Sequence, residues 1–201
     1  MATFLCGEPL YDVEKVRVKV LKKVPEIRIG EEVLGPFSQD QEVEVERWVA
    51  KILREEGYIE IVDEKGIDLA TISKIAWKES RTPQLTPLEP TFYVKARGYV
   101  KSLAEKAKIN PETLNEKRLA EVRLTDVINC RVQKIANMAL TGTQPPREVL
   151  DCLTPEERTL FNELCGLISR WRRSIKGGDN GLGEASRSHR AVHRVLQVVC
   201  R

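Results

Sequence analysis

The sequence predicts an α+β protein, a mainly helical bundle preceded by a small N-terminal β-rich domain. Two observations carry this. The apolar period is 2 in several short stretches before residue 65 and 3.6 after residue 66. Proline-containing helix-start signals then recur through the second part.

The elements follow in order. Val16, Val18 and Val20 alternate with Arg17 and Lys19, the pattern of a half-buried strand. A short strand over Glu26–Ile29 follows Pro25, and Leu34-Gly35-Pro36 breaks the next piece. Glu42–Glu46 alternates again. Trp48, Val49, Ile52 and Leu53 then fall at helical spacing, Gly57 stops that helix, and Tyr58–Ile61 forms a last strand. In the second part, one helix carries Leu69, Ile72, Ile75 and Ala76 and ends near Arg81-Thr-Pro83. Thr86-Pro87-Leu88-Glu89 has capping-box spacing and predicts the start of a helix presenting Phe92, Ala96, Tyr99, Val100 and Leu103. Asn110-Pro111 precedes a long helix whose inward stripe is read as Leu124, Ile128, Val132, Ile135 and Ala139. A loop over residues 141–146 follows. Thr154-Pro155-Glu156-Glu157 then opens a helix with Leu160, Phe161, Leu164, Leu167, Ile168 and Trp171. After Ile175, four glycines between Gly177 and Gly183 read as a linker, and the remainder reads as a basic helix or a disordered end. The expected division is residues 1–65, 66–175 and 176–201.

Composition excludes several function classes. The 201 residues carry 33 Lys and Arg against 30 Asp and Glu, net +3, too balanced for a bulk polyanion binder. That balance sums unlike parts: −5 over residues 1–65, +2 over 66–169 and +6 over 170–201. No apolar run approaches the ~18 residues of a membrane span, and no secretory signal is visible, so the expected location is cytoplasmic. Cys6, Cys130, Cys152, Cys165 and Cys200 form no C-x-x-C pair, and Cys130 and Cys165 fall in helical apolar patterns. His189 and His193 share a helix face, but the H-E-x-x-H glutamate position holds Arg190. No phosphate-cradling glycine motif and no histidine-based triad is present. The reading is therefore not an enzyme, with no cofactor and no metal. Arg170, Arg172, Arg173, Arg187, Arg190 and Arg194 could contact phosphates or simply keep a tail solvated.

The helical part resembles a known family. Leu69-Ala-Thr-Ile72-Ser-Lys-Ile75-Ala-Trp77-Lys-Glu79, followed by Gln84-Leu85-Thr-Pro87-Leu88-Glu-Pro-Thr-Phe92-Tyr93, is similar to the opening of the helical domain of GINS replication proteins. Arg131-Val-Gln-Lys134-Ile135 resembles that family's arginine-x-x-lysine-isoleucine segment, and Leu153-Thr-Pro-Glu-Glu157 resembles the start of its fourth helix. The β-before-helix order is that of the archaeal subunit similar to the second and third eukaryotic partner-of-Sld-five proteins. The resemblance implies a non-enzymatic scaffold in a tetramer of two copies each of two subunits, bridging and stimulating the MCM helicase and contacting a RecJ-like protein at the replication fork. DNA contact is then weak or indirect, and the protein sits with the nucleoid. Trp77, Phe92, Tyr93 and Trp171 are candidate interface anchors, or fill this subunit's own core. The alternative is a stand-alone nucleic-acid-binding module using the basic C-terminal segment.

Overall fold

The computed structural model describes residues 7–63 and 66–176. The chain opens with a short helix, α1 (Gly7–Asp12), which the sequence did not announce. Strands β1 (Lys15–Val20), β4 (Glu42–Glu46) and β5 (Ile59–Asp63) form an antiparallel sheet in the order β4-β1-β5. Between β1 and β4, β2 (Ile27–Ile29) pairs with β3 (Glu32–Leu34) as a hairpin. Its turn uses Gly30 at φ +63°, a conformation glycine adopts without steric cost.

The valine alternation determines which face of the sheet is buried. Val16, Val18 and Val20 are at most 3% exposed, and Val18 sits opposite Val43 and Ile61. A slip of one residue would turn all three valines to solvent. Helix α2 (Arg47–Glu55) covers this face with Val49, Ala50 and Leu53. It stops where Gly57 takes φ +70°.

The second part is built around one long helix, α5 (Thr113–Thr141). Helices α3 (Leu69–Arg81), α4 (Phe92–Ile109) and α7 (Pro155–Ile175) all pack on it, and the single-turn α6 (Arg147–Leu150) lies in the α5–α7 connection. Asp68 caps α3 by accepting the Thr71 N–H at 2.8 Å. The capping box of α7 forms as the sequence predicts, with Thr154 and Glu157 exchanging bonds. The other predicted box does not. Helix α4 begins at Phe92, and Thr86–Pro90 stays non-helical. Two prolines disfavour helical geometry at the residues before them. In addition, the Thr86 N–H bonds to Glu79 and its carbonyl to Arg131.

The inward stripe of α5 is also rotated from the expected one. Val127, Arg131, Ile135 and Ala139, spaced one turn apart, are at most 2% exposed, whereas Ile128 is 38% exposed. A charged residue, Arg131, occupies the centre of the buried face. Above and below it lie two apolar clusters. One joins Ile72, Ala76, Phe92, Ala96 and Val127, and the other joins Leu85, Ile135, Ala139, Leu153 and Phe161.

Candidate functional site

Arg131 is the hub of a closed ion network. Its Nε donates to Glu157 Oε1 at 2.5 Å and its Nη2 to Glu157 Oε2 at 2.7 Å, a bidentate pair. Nη1 donates to Glu79 Oε1 at 2.6 Å and to the Thr86 carbonyl at 2.7 Å, and Nη2 also reaches the Cys152 carbonyl at 2.8 Å. All five guanidinium donors are thereby engaged. Lys134, one turn later, donates to the other Glu79 carboxylate oxygen and to the carbonyls of Glu79 and Gln84. Tyr93 donates its hydroxyl to Glu157 at 2.6 Å. Two cations face two carboxylates, so the cluster is neutral overall.

Burial tends to raise the Glu79 carboxyl. Hydrogen bonds from Lys134 and the Thr86 N–H, with the charge of Arg131, hold it below its ordinary value instead. Burial next to Glu157 pushes the Tyr93 phenol well up, so it stays a neutral donor. The network links α3, the Thr86 segment, the Cys152 turn and α7 to α5. It is the convergence point of three motifs that the sequence carries far apart: Glu79, Arg131 with Lys134, and Glu157. Sequence reasoning quoted each of them and assigned none to a site. The available signal was two basic residues, Arg131 and Lys134, inside an otherwise uncharged helical stretch.

The candidate anchors separate into two pairs. Phe92 is 3% exposed and Tyr93 half-buried, and their rings meet edge-on at 5.2 Å, so both belong to the chain's own interior. Trp77 and Trp171 are 57% and 61% exposed. For Phe92, read from the sequence as either an interface anchor or a core residue, the packing is internal, against Ile72, Ala96 and Val127.

Trp171 lies one turn before Ile175, which is 68% exposed. Arg172 donates to the Leu140 carbonyl at 2.7 Å, bringing the end of α5 beside the last turns of α7. Leu140 is itself 53% exposed. Residues 127–146 carry only two charges, Arg131 and Lys134, and both turn inward. The outer face there presents Asn129, Gln133, Asn137 and Leu140 at helical spacing. In a chain that is 31% charged, this is a charge-depleted face. Depletion of charge marks the centres of protein interfaces. Arg170 and Arg173 are exposed at its edge, while Arg187, Arg190 and Arg194, with His189 and His193, lie outside the described residues.

The sheet module meets the helical body through polar contacts. Glu14 accepts from the Thr91 hydroxyl at 2.7 Å and pairs with Lys95 at 3.2 Å and Arg47 at 3.4 Å. The Gly7 N–H donates to Glu156 at 3.0 Å. Among the described residues, no group of three His, Cys, Asp or Glu is placed to hold a metal, and no helix is long and apolar enough to cross a membrane. Cys130, Cys152 and Cys165 are free and half-buried.

Fold and network together define a helical-bundle protein with an ion-locked core and one uncharged outer face. The family model for the GINS complex protein helical bundle domain matches residues 66–176, more than half of the chain, and the chain belongs to the GINS family. It is accordingly a DNA replication scaffold subunit with other GINS subunits as partners. No curated protein matches it in sequence.

Proposed function

We propose that this chain is the β-before-helix subunit of an archaeal-type GINS complex. It pairs with a companion subunit in a 2:2 heterotetramer and bridges and stimulates the MCM helicase, with a RecJ-like protein as a further partner. The role is non-enzymatic. In support, the cluster of ionisable groups around Arg131 is closed from solvent and has the Arg131 donors fully engaged. In this reading residues 1–65 and 66–175 are two separately cored parts of one subunit, and residues 176–201 are a basic end.

The observation that carries the proposal is the uncharged outer stretch of α5 from residue 127 to exposed Leu140, with exposed Trp171 and Ile175 on the last turns of α7, which Arg172 ties to the Leu140 carbonyl. Large exposed apolar groups gathered on one face favour burial against another chain. Trp171 is the anchor in this reading.

Light scattering on the purified chain, alone and mixed with its companion, tests it. The mixture is expected at the mass of a 2:2 assembly, and Asn137→Arg with Trp171→Glu to abolish it while leaving the circular dichroism unchanged. A chain that stays monomeric beside the companion overturns the reading. The basic-tail alternative predicts instead that Arg187→Gln, Arg190→Gln and Arg194→Gln together remove DNA affinity without touching assembly.

A further inference from the structure

The second exposed tryptophan sits in a different chemical setting. Ala70, Lys74, Trp77, Lys78 and Arg81 recur at helical spacing on α3, and all five are exposed, opposite the buried Ile72, Ala76 and Glu79. The Arg81 guanidinium stacks against the Trp77 ring, 4.8 Å from its centroid. The only carboxylate on the helix, Glu79, is turned inward and held by Arg131 and Lys134.

Elsewhere in the protein some exposed cations are matched. Lys51 pairs with Asp12, Lys108 with Glu105 and Arg123 with Asp126. Lys74, Lys78 and Arg81 have no ion-pair partner among the described residues. Three unmatched cations along about 10 Å of one helix face, with a flat ring between them, form a single-sign patch with an aromatic platform.

We propose that the solvent face of α3 binds single-stranded nucleic acid, the three cations contacting phosphates and Trp77 stacking on a base. An acidic polymer such as polyglutamate satisfies the cations but has no ring to lie on the indole. A single strand satisfies both, and base stacking tolerates any sequence. This surface is carried by different residues, on α3 rather than on α5 and α7, so the proposal goes beyond subunit docking and its variants leave the α5–α7 residues untouched.

The test is fluorescence anisotropy of a labelled oligothymidylate of about 20 nucleotides with the full chain, titrated over a range of salt. Three released counterions per site contribute about −2 to the slope of log affinity against log salt on a single strand. The triple variant Lys74→Gln, Lys78→Gln and Arg81→Gln is expected to lose that increment and most of the affinity. Trp77→Ala is expected to weaken binding roughly tenfold with the slope unchanged, and to remove any oligonucleotide-induced quenching of tryptophan emission. All four side chains are exposed, so each variant should keep the parent's circular dichroism. The proposal is overturned by no binding at low salt, parent-like affinity in the triple variant, parent-like affinity in Trp77→Ala, or displacement of the oligonucleotide by polyglutamate as readily as by unlabelled strand. Loss of affinity in the tail variant alone assigns the contact to the C-terminal arginines and overturns it equally.

Discussion

The sheet module encloses Val16, Val18, Val20, Val24, Val45 and Ile59 against α2, and its one buried charged residue among those described, Arg47, lies at the border facing Glu14. The helical body instead places Glu79, Arg131 and Glu157 in its interior, between two apolar clusters. The difference follows from what each architecture leaves undetermined. Period-2 alternation in a strand already specifies which face is buried, and backbone ladder bonds fix the rest. A helix satisfies its own backbone and is free to rotate about its axis. Directional side-chain bonds can remove that freedom. We interpret the Arg131 network in that sense: it selects which faces of α3, α5 and α7 meet, the role best attested for buried polar groups.

Breaking the network gives the largest expected effect. Arg131→Met leaves Glu157 buried without its cation and Glu79 with Lys134 alone, and should cost about 3–5 kcal/mol, read as a lowered midpoint in urea or heat. A drop below 1 kcal/mol would mean that the network is incidental to stability. The matching change in the module, Val18→Ala, removes two methyl groups from a fully buried site and should cost roughly 2 kcal/mol.

Acid separates the two parts further. Because the Glu79 carboxyl is held below its ordinary value of 4.5, its contribution is present above that pH and is lost as pH falls through the lowered value. The deficit of Glu79→Gln relative to the parent should therefore shrink below about pH 4.5, while that of Val18→Ala should not. Melts of both variants at pH 7 and pH 4 check this, and parallel behaviour would contradict it. The smallest effect belongs to Trp171→Ser. The ring is 61% exposed, so stability should change by no more than about 0.5 kcal/mol, even where assembly is lost.

Much of the fold was legible in the residues. The valine strand, the α2 stop at Gly57, α3 and the capping box of α7 all follow from local rules, because each depends on neighbours within a few positions. The misread elements share one cause. Helix α4 was placed too early and the α5 stripe rotated because Thr86 and Arg131 have long-range partners that no local pattern displays. A lone arginine in a helical repeat reads as solvent-facing, since charges are rarely buried unpaired. Its partners lie 52 and 26 residues away. The short α1, too, makes contacts beyond its own turn, through Gly7 to Glu156.

By itself the sequence determined the α+β class, most helix and strand positions and, through the order of its motifs, the family. Those properties are written in periodicity, capping residues and spacing, which act locally. Only the tertiary structure decided that the three motifs meet in one ion network, that Phe92 and Tyr93 turn inward, and that Trp77 and Trp171 face solvent on unlike surfaces. Burial and charge pairing depend on which helices come together, and that is a property of the packed chain.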